Sequence, residues 1–268
     1  MRKIFHKLVT IEEALELIKK HVDLSPLGVE EVDLLKASGR VLAEDIIAKV
    51  DLPPFDRSEM DGYAVIAEDT YGADEDSPIK LKVIGKIEAG DKPKVAVEKG
   101  CAVEISTGAP IPPGANAVVM VEYTRQIGDV VEIFKPVAVG AHIVYAGSDL
   151  MIGEKILRRG TLLTPREIGV IAAVGISKVK VYRKPKVAII STGSELVPPG
   201  SSLPHYKIYD VNTYSIAAGV KEAGGEPIPL GIVGDDITEI RKMIEKAAEK
   251  TDLVLISGGT SAGIGDLV

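Results

Sequence analysis

The sequence predicts a multidomain chain that joins an all-β part to an α/β part, and three observations carry that prediction. In the last third, three apolar strands each run into a loop of small residues and carboxylates, with helical patterns between them. That alternation makes the strands parallel and puts the loops at one sheet edge, where ligands of open α/β sheets bind. From Val50 to Val137 the pattern is instead a series of short β segments punctuated by Gly and Pro, which reads as a small barrel or sandwich. At the N-terminus, Thr10 and Glu13 have capping-box spacing ahead of apolar residues at helical intervals.

In chain order, Ile11, Ala14, Leu15, Ile18 and Val22 predict a first helix ending near His21–Asp23. A short strand and a helical turn follow, with Asp33 as its expected cap and Ser38-Gly39 as its stop. The β segments are expected at Gly62–Ile66, Ile79–Ile84, Cys101–Ile105, Ala117–Val121 and Val130–Phe134. Thr164-Pro165-Arg166-Glu167 opens a helix that Gly175 closes, Lys178–Tyr182 is a strand, and Arg183-Lys184-Pro185 reads as a domain junction. The α/β part then begins. Its strands are expected at Lys186–Ile190, Ile228–Val233 and Leu253–Ile256. One helix is capped by Asn212 or Thr213 and the next by Asp236 or Thr238. Three parallel strands bury little, so the sequence is expected to stop inside a larger doubly wound domain.

Composition narrows the function classes. Of 268 residues, 46% are hydrophobic and 26% charged, ordinary values for a soluble globular protein. The longest apolar runs fall short of the ~20 residues of a membrane helix. The basic start Met1-Arg2-Lys3 lacks a signal-peptide apolar stretch, which favours the cytoplasm. Cys101 is the only cysteine, and His6, His21, His142 and His205 have no metal-ligand spacing, so disulfide frameworks and zinc sites are disfavoured. A net charge of −7 with scattered Lys and Arg argues against nucleic acid. Asn116, Asn212 and Gln126 are the only side-chain amides, a depletion that with abundant Lys and Glu resembles thermophile chains.

The candidate site lies in the loops after the three parallel strands: Ser191-Thr192-Gly193-Ser194-Glu195, Gly234-Asp235-Asp236, and Ser257-Gly258-Gly259-Thr260-Ser261 through Asp266. Glycine and hydroxyl residues there offer N–H and O–H groups to a phosphate. Glu195, Asp235, Asp236 and Asp266 are oxygen donors suited to Mg²⁺ more than to zinc. Singly, Asp235 and Asp236 have the plainer reading of turn and cap residues. Gly259-Thr260-Ser261-Ala262-Gly263 fits a nucleophile-elbow pattern, but the residues after Ser261 continue the loop and no histidine follows. Neither a P-loop nor a dinucleotide glycine fingerprint is present. Two proline-held loops, Asp51–Val65 and Ile105–Val118, present Asp61 and Thr107 at low entropic cost.

At these motifs the chain resembles the MoeA / gephyrin E-domain family, the molybdopterin molybdenumtransferases. The stretch Pro53–Val65 carries the resemblance, with Ser106–Pro110, Ser191–Leu196, Asp210-Val211-Asn212 and Ser257–Gly263, in the same order along the chain. The resemblance implies an elongated molecule. Residues 1–50 and 138–182 would form a discontinuous N-terminal dimerisation domain, 51–137 an inserted β-barrel-like domain, and 183–268 an incomplete three-layer α/β (MogA/MoaB-like) domain, without the family's C-terminal β domain. It implies molybdenum cofactor biosynthesis: Mg²⁺-assisted insertion of molybdate into adenylylated molybdopterin with release of AMP. Asp61, Thr107, Glu195, Asp236 and Asp266 match the family's active-site positions. Ser191, Thr192, Gly193, Ser194, Ser257, Gly258, Gly259, Thr260 and Ser261 would hold the cofactor precursor. A homodimer is implied, and the molybdopterin adenylyltransferase is a further possible partner. Two other readings stand beside it. One is a pterin-binding scaffold or inactive fragment; the other is the sister adenylyltransferase, which lacks the regions before Tyr182.

Overall fold

The computed structural model describes residues 9–258. Gly259, Thr260, Ser261 and Asp266 therefore lie outside the described residues. The helices are α1 (Ile11–His21), α2 (Pro165–Ala173), α3 (Asn212–Glu222) and α4 (Ile237–Ala248). The chain divides into two compact units, one of residues 9–44, 159–164 and 178–258, the other of 45–158 and 165–177.

In the first unit, α1 starts where the sequence places it. The Thr10 hydroxyl accepts from the Glu13 N–H at 3.2 Å, and the Glu13 carboxylate accepts from the Thr10 N–H at 3.0 Å. Every residue of α1 stays unburied, and Ile11, Leu15, Ile18 and Val22 form an exposed apolar stripe. Val29–Asp33 pairs antiparallel with Lys178–Tyr182 over five residues. Asp33 closes that strand and its side chain does not cap the Leu34–Lys36 turn, contrary to expectation.

The same unit holds the α/β layers. Lys186–Thr192 is the central strand, parallel to Glu226–Val233 on one side and Leu253–Ser257 on the other. The two crossovers run in opposite directions, so right-handed connections put α3 and α4 on opposite faces. Adjacent residues of the central strand bear this out. Ile190 packs with Ile240 of α4, whereas Ser191 bonds Thr213 of α3. The segment Arg183–Pro185, read from the sequence as a domain junction, leads straight into the central strand at Lys186. The Asp252 carboxylate accepts from the Arg183 guanidinium at 2.9 and 3.1 Å and from the Lys186 N–H at 2.8 Å, stitching that segment to the start of the third strand.

The second unit is built on a six-stranded sheet. In spatial order it runs Ala117–Met120, Gly62–Val65, Cys101–Ile105, Ile79–Ile87, Val130–Ile133 and Thr124–Ile127. Only Ile79–Ile87 and Cys101–Ile105 pair in parallel. The last of these strands, Thr124–Ile127, is one the sequence reading missed; its exposed, polar TRQI run has no apolar alternation. The two edge strands are joined by Val121–Tyr123 alone. Four residue steps reach at most ~14 Å, whereas five strand spacings in a flat sheet need ~24 Å. The sheet must therefore curl toward a barrel. Its faces bury separate cores, Tyr63, Val65, Leu81, Val119 and Ile133 on one and Ala64, Ile87, Val103, Ile105 and Val118 on the other.

Candidate functional site

Register brings the ends of the three parallel strands level. Thr192 pairs with Val233 and Ser191 with Ser257. The loops at 193–195, 234–236 and 258 thus share the carboxyl edge of the sheet. In chain order the strands lie second–first–third, which puts the switch point, and the crevice for a ligand, between the first and third.

Gly193 and Gly258 flank that crevice. Gly258, at φ 116°, lies so close to Thr192 that a Cβ would sit 2.5 Å from both the carbonyl and the hydroxyl oxygen of Thr192. Gly193, at φ 151°, lies under Glu195, whose two carboxylate oxygens would be 2.7 Å from a Cβ. Both positions need glycine because backbone and carboxylate occupy the side-chain space. The Gly193 N–H donates to the Val233 carbonyl at 3.1 Å, which fixes the turn to the neighbouring strand.

The carboxylates divide their work. Asp235 accepts from the Ser194 N–H at 3.1 Å, and its own N–H donates to the Ser194 hydroxyl at 3.3 Å. Asp236 is the N-cap of α4, accepting from the Thr238 and Glu239 N–H groups at 2.7 and 3.2 Å. The Glu239 and Thr238 backbone bonds hold its carboxyl below the usual carboxylate range. Glu195 is exposed, and among the described residues its carboxylate accepts no hydrogen bond. Its backbone is held instead, the carbonyl accepting from the Ile208 N–H at 2.9 Å. Among the described residues no three acidic, His or Cys side chains gather as a metal cage. Of the expected quartet, Glu195, Asp235 and Asp236 do not form such a group among the described residues, Asp235 serving a turn and Asp236 a cap, and Asp266 lies outside the described residues. One open carboxylate beside a glycine turn still fits Mg²⁺, which is usually held by one or two carboxylates together with ligand phosphates.

Ser191 and Thr192, expected in the loop, belong to the central strand and are buried. The Ser191 hydroxyl donates to the Asp210 carboxylate at 2.9 Å and lies 2.9 Å from the Thr213 hydroxyl. Asp210 in turn accepts from the Thr213 N–H at 3.0 Å. It thus caps α3 in place of the expected Asn212 or Thr213, which lie inside the helix. Burial pushes the Asp210 carboxyl up, but bonds from Thr213, Ser191 and the Asn212 backbone outweigh this and hold it below its ordinary value. Asn212 donates to the Ser257 hydroxyl at 2.7 Å, so Ser257 too has a structural partner. A cavity of about 620 Å³ opens between α3 and Glu226–Val233, lined by Asp210, Thr213, Tyr214 and Ile232 among others. Lys207, which no sequence pattern marks, donates its ammonium to the Ser194 carbonyl and puts a cation at this acidic edge.

In the other unit, the two proline-held loops meet. Gly62 pairs with Ile105, which sets Asp61 beside Thr107. One Asp61 oxygen accepts from both the N–H and the hydroxyl of Thr107, at 2.7 and 3.0 Å. Those bonds hold the Asp61 carboxyl below the usual range, so it stands ionised at the surface. Ser58 braces the pair from beneath: its N–H donates to the Ala109 carbonyl at 2.9 Å, and its carbonyl accepts from Gly108 at 2.8 Å.

Comparison with known proteins bears on this arrangement. A family model described as "MoeA N-terminal region (domain I and II)" matches residues 9–175, and one described as "Probable molybdopterin binding domain" matches 188–268. The chain is 40% identical over 237 residues to molybdopterin molybdenumtransferase 2 of Mycobacterium tuberculosis, covering 88% of this chain and 58% of that protein. It is 42% identical over 244 residues to the molybdopterin molybdenumtransferase of Nostoc sp., covering 91% and 56%. It therefore spans under two thirds of the length of these curated relatives. The solved molybdopterin biosynthesis MoeA protein of Pyrococcus horikoshii OT3 superposes with a TM-score of 0.86 at 44% identity, over 94% of this chain and 67% of that one. With the N-terminal family model spanning more than half of its residues, the chain belongs to the MoeA family.

Proposed function

We propose that this chain provides the pterin-nucleotide site of a molybdopterin molybdenumtransferase, which inserts molybdate into adenylylated molybdopterin with release of AMP. The observation that carries the proposal is the Gly193–Glu195 turn at the switch point of the sheet: the Glu195 carboxylate folds over Gly193 and, among the described residues, accepts no hydrogen bond. Glu195 would hold Mg²⁺, which supplies charge neutralisation on the pyrophosphate when bound. The chain's own groups orient the ligand. The cavity beside Asp210 has the volume for a bicyclic heterocycle. Asp61, kept ionised by Thr107, is a fixed acceptor rather than a proton donor.

The same reading includes a homodimer. The α1 stripe Ile11, Leu15, Ile18, Val22 has heptad spacing and no partner among the described residues, as an interhelical seam would. The test of activity is AMP release on incubation with adenylylated molybdopterin, Mg²⁺ and molybdate. Release that is lost in Glu195→Ala with an unchanged melting temperature supports the reading. Retention of full activity in that variant would remove Glu195 from the site.

A further inference from the structure

Between the central strand and α3 the chain makes an excursion in which Leu196–Val197 pairs in parallel with Ile208–Tyr209. The turn Pro204–Lys207 lies within it, and two independent features of that turn bear on a ligand. The first is Tyr206. Its φ is 65°, in the left-handed region where glycine is the usual occupant and a bulky aromatic is strained. No burial offsets that strain, because the residue is 97% exposed. Its ring meets only His205 among the described residues, at 5.8 Å between centroids and a 45° tilt. The second is Lys207. Its ammonium donates to the Ser194 carbonyl and makes no ion pair among the described residues, so two of its three protons stay available.

Together these features tie an outward-held aromatic ring to the loop that carries Glu195. From the Ser194 carbonyl, one lysine side chain and one residue step reach Tyr206, a span of roughly 10–13 Å. That is shorter than a ligand with two heterocycles joined through a pyrophosphate. A tyrosine ring has only two side-chain torsions to fix, so stacking costs it less freedom than it would a long flexible side chain.

We propose that the Pro204–Lys207 turn recognises a planar heterocycle of the ligand. Tyr206 supplies the stacking face, and Lys207 acts as a positioning residue that holds the turn against the Ser194–Glu195 loop and adds positive charge beside the phosphates. The inference rests on the pterin-nucleotide reading above and deepens it.

Calorimetric titration with adenylylated molybdopterin, and separately with AMP, tests it on the wild type and on Tyr206→Phe, Tyr206→Leu and Tyr206→Gly. Loss of a stacked ring is expected to weaken binding on the order of 5- to 100-fold in the Leu and Gly variants. The Phe variant should stay within about two-fold of wild type, since it keeps the π face. The Gly variant relieves the backbone strain, so its melting temperature should match or exceed that of wild type. The Leu variant keeps the strain and the apolar bulk, which separates loss of the ring from loss of folding. Wild type binding with unchanged affinity in the Leu and Gly variants overturns the stacking role and leaves the functional reading in place. Failure of wild type to bind either probe overturns the functional reading, and this inference with it.

Discussion

Asp210 is the point at which fold and site are most tightly joined, and Asp210→Ala is the sharpest perturbation of that join. The residue is 3% exposed and accepts from the Thr213 N–H and the Ser191 hydroxyl. Its loss removes an N-terminal cap of α3, about 1 kcal/mol. It also takes a partner from the fully buried Ser191 hydroxyl, a cost of about 1–3 kcal/mol. The lower end of that range applies, because the Thr213 hydroxyl remains 2.9 Å away. Relief of the buried charge offsets part of the total, which comes to roughly 2 kcal/mol. Asp210→Asn keeps an acceptor oxygen and should cost about 1 kcal/mol or less, chiefly the charge at the helix N-terminus. Urea unfolding of wild type and both variants measures this, with hydrogen exchange at α3 locating the loss. The folded carboxyl is held below its unfolded value, so its contribution to stability is present above about pH 4 and drains away as pH falls through the folded pKa. The difference between wild type and Asp210→Asn should therefore close at low pH. An alanine variant within about 0.5 kcal/mol of wild type, or an asparagine variant as damaged as the alanine one, would refute the reasoning.

Other expectations follow from the same geometry. In Gly62→Ala the new Cβ would lie 1.9 Å from the Val119 carbonyl oxygen, a backbone atom of the paired strand. The variant should lose on the order of 3 kcal/mol in urea unfolding, and an unchanged midpoint would show that the strands can part freely. Thr107→Val deletes one of the two bonds that depress Asp61, so the Asp61 pKa should rise toward the ordinary carboxylate value in a carbon-detected NMR titration. No movement would mean the hydroxyl contributes nothing. Placing Glu at both Leu15 and Ile18 puts charges in the α1 stripe and should convert a dimer to monomer in sedimentation velocity without changing the helix. Retained dimer would exclude α1 from the interface.

Much of the architecture was legible because local chemistry dictates it. The Thr10–Glu13 box begins α1, and Asp236 caps α4 as the sequence reading allowed. The Cys101–Ile105 and Lys178–Tyr182 strands fall where period-two patterning and Gly/Pro punctuation place them. Strand–helix alternation, with its requirement for right-handed crossovers, was enough to put three loops on one sheet edge. The pairing of Asp61 with Thr107 was not legible from spacing, since 46 residues separate them and only the register of Gly62 with Ile105 brings them together.

What the sequence by itself determined is the set of elements, their parallel order in the α/β layers and the glycine-bearing loops, because helix periodicity, caps and crossover handedness depend on neighbours within a few residues. Which of the described carboxylates are taken up by hydrogen bonds within the fold is something only the tertiary structure decided. Glu195, Asp235, Asp236 and Asp210 are alike as residue types. Hydrogen bonds across 41 residues from Asp235 to Ser194 and 19 from Asp210 to Ser191 spend two of them, and a helix start spends a third. Glu195 differs: the Ile208 N–H bonds its backbone, and among the described residues its carboxylate, folded over the Gly193 turn, accepts no hydrogen bond.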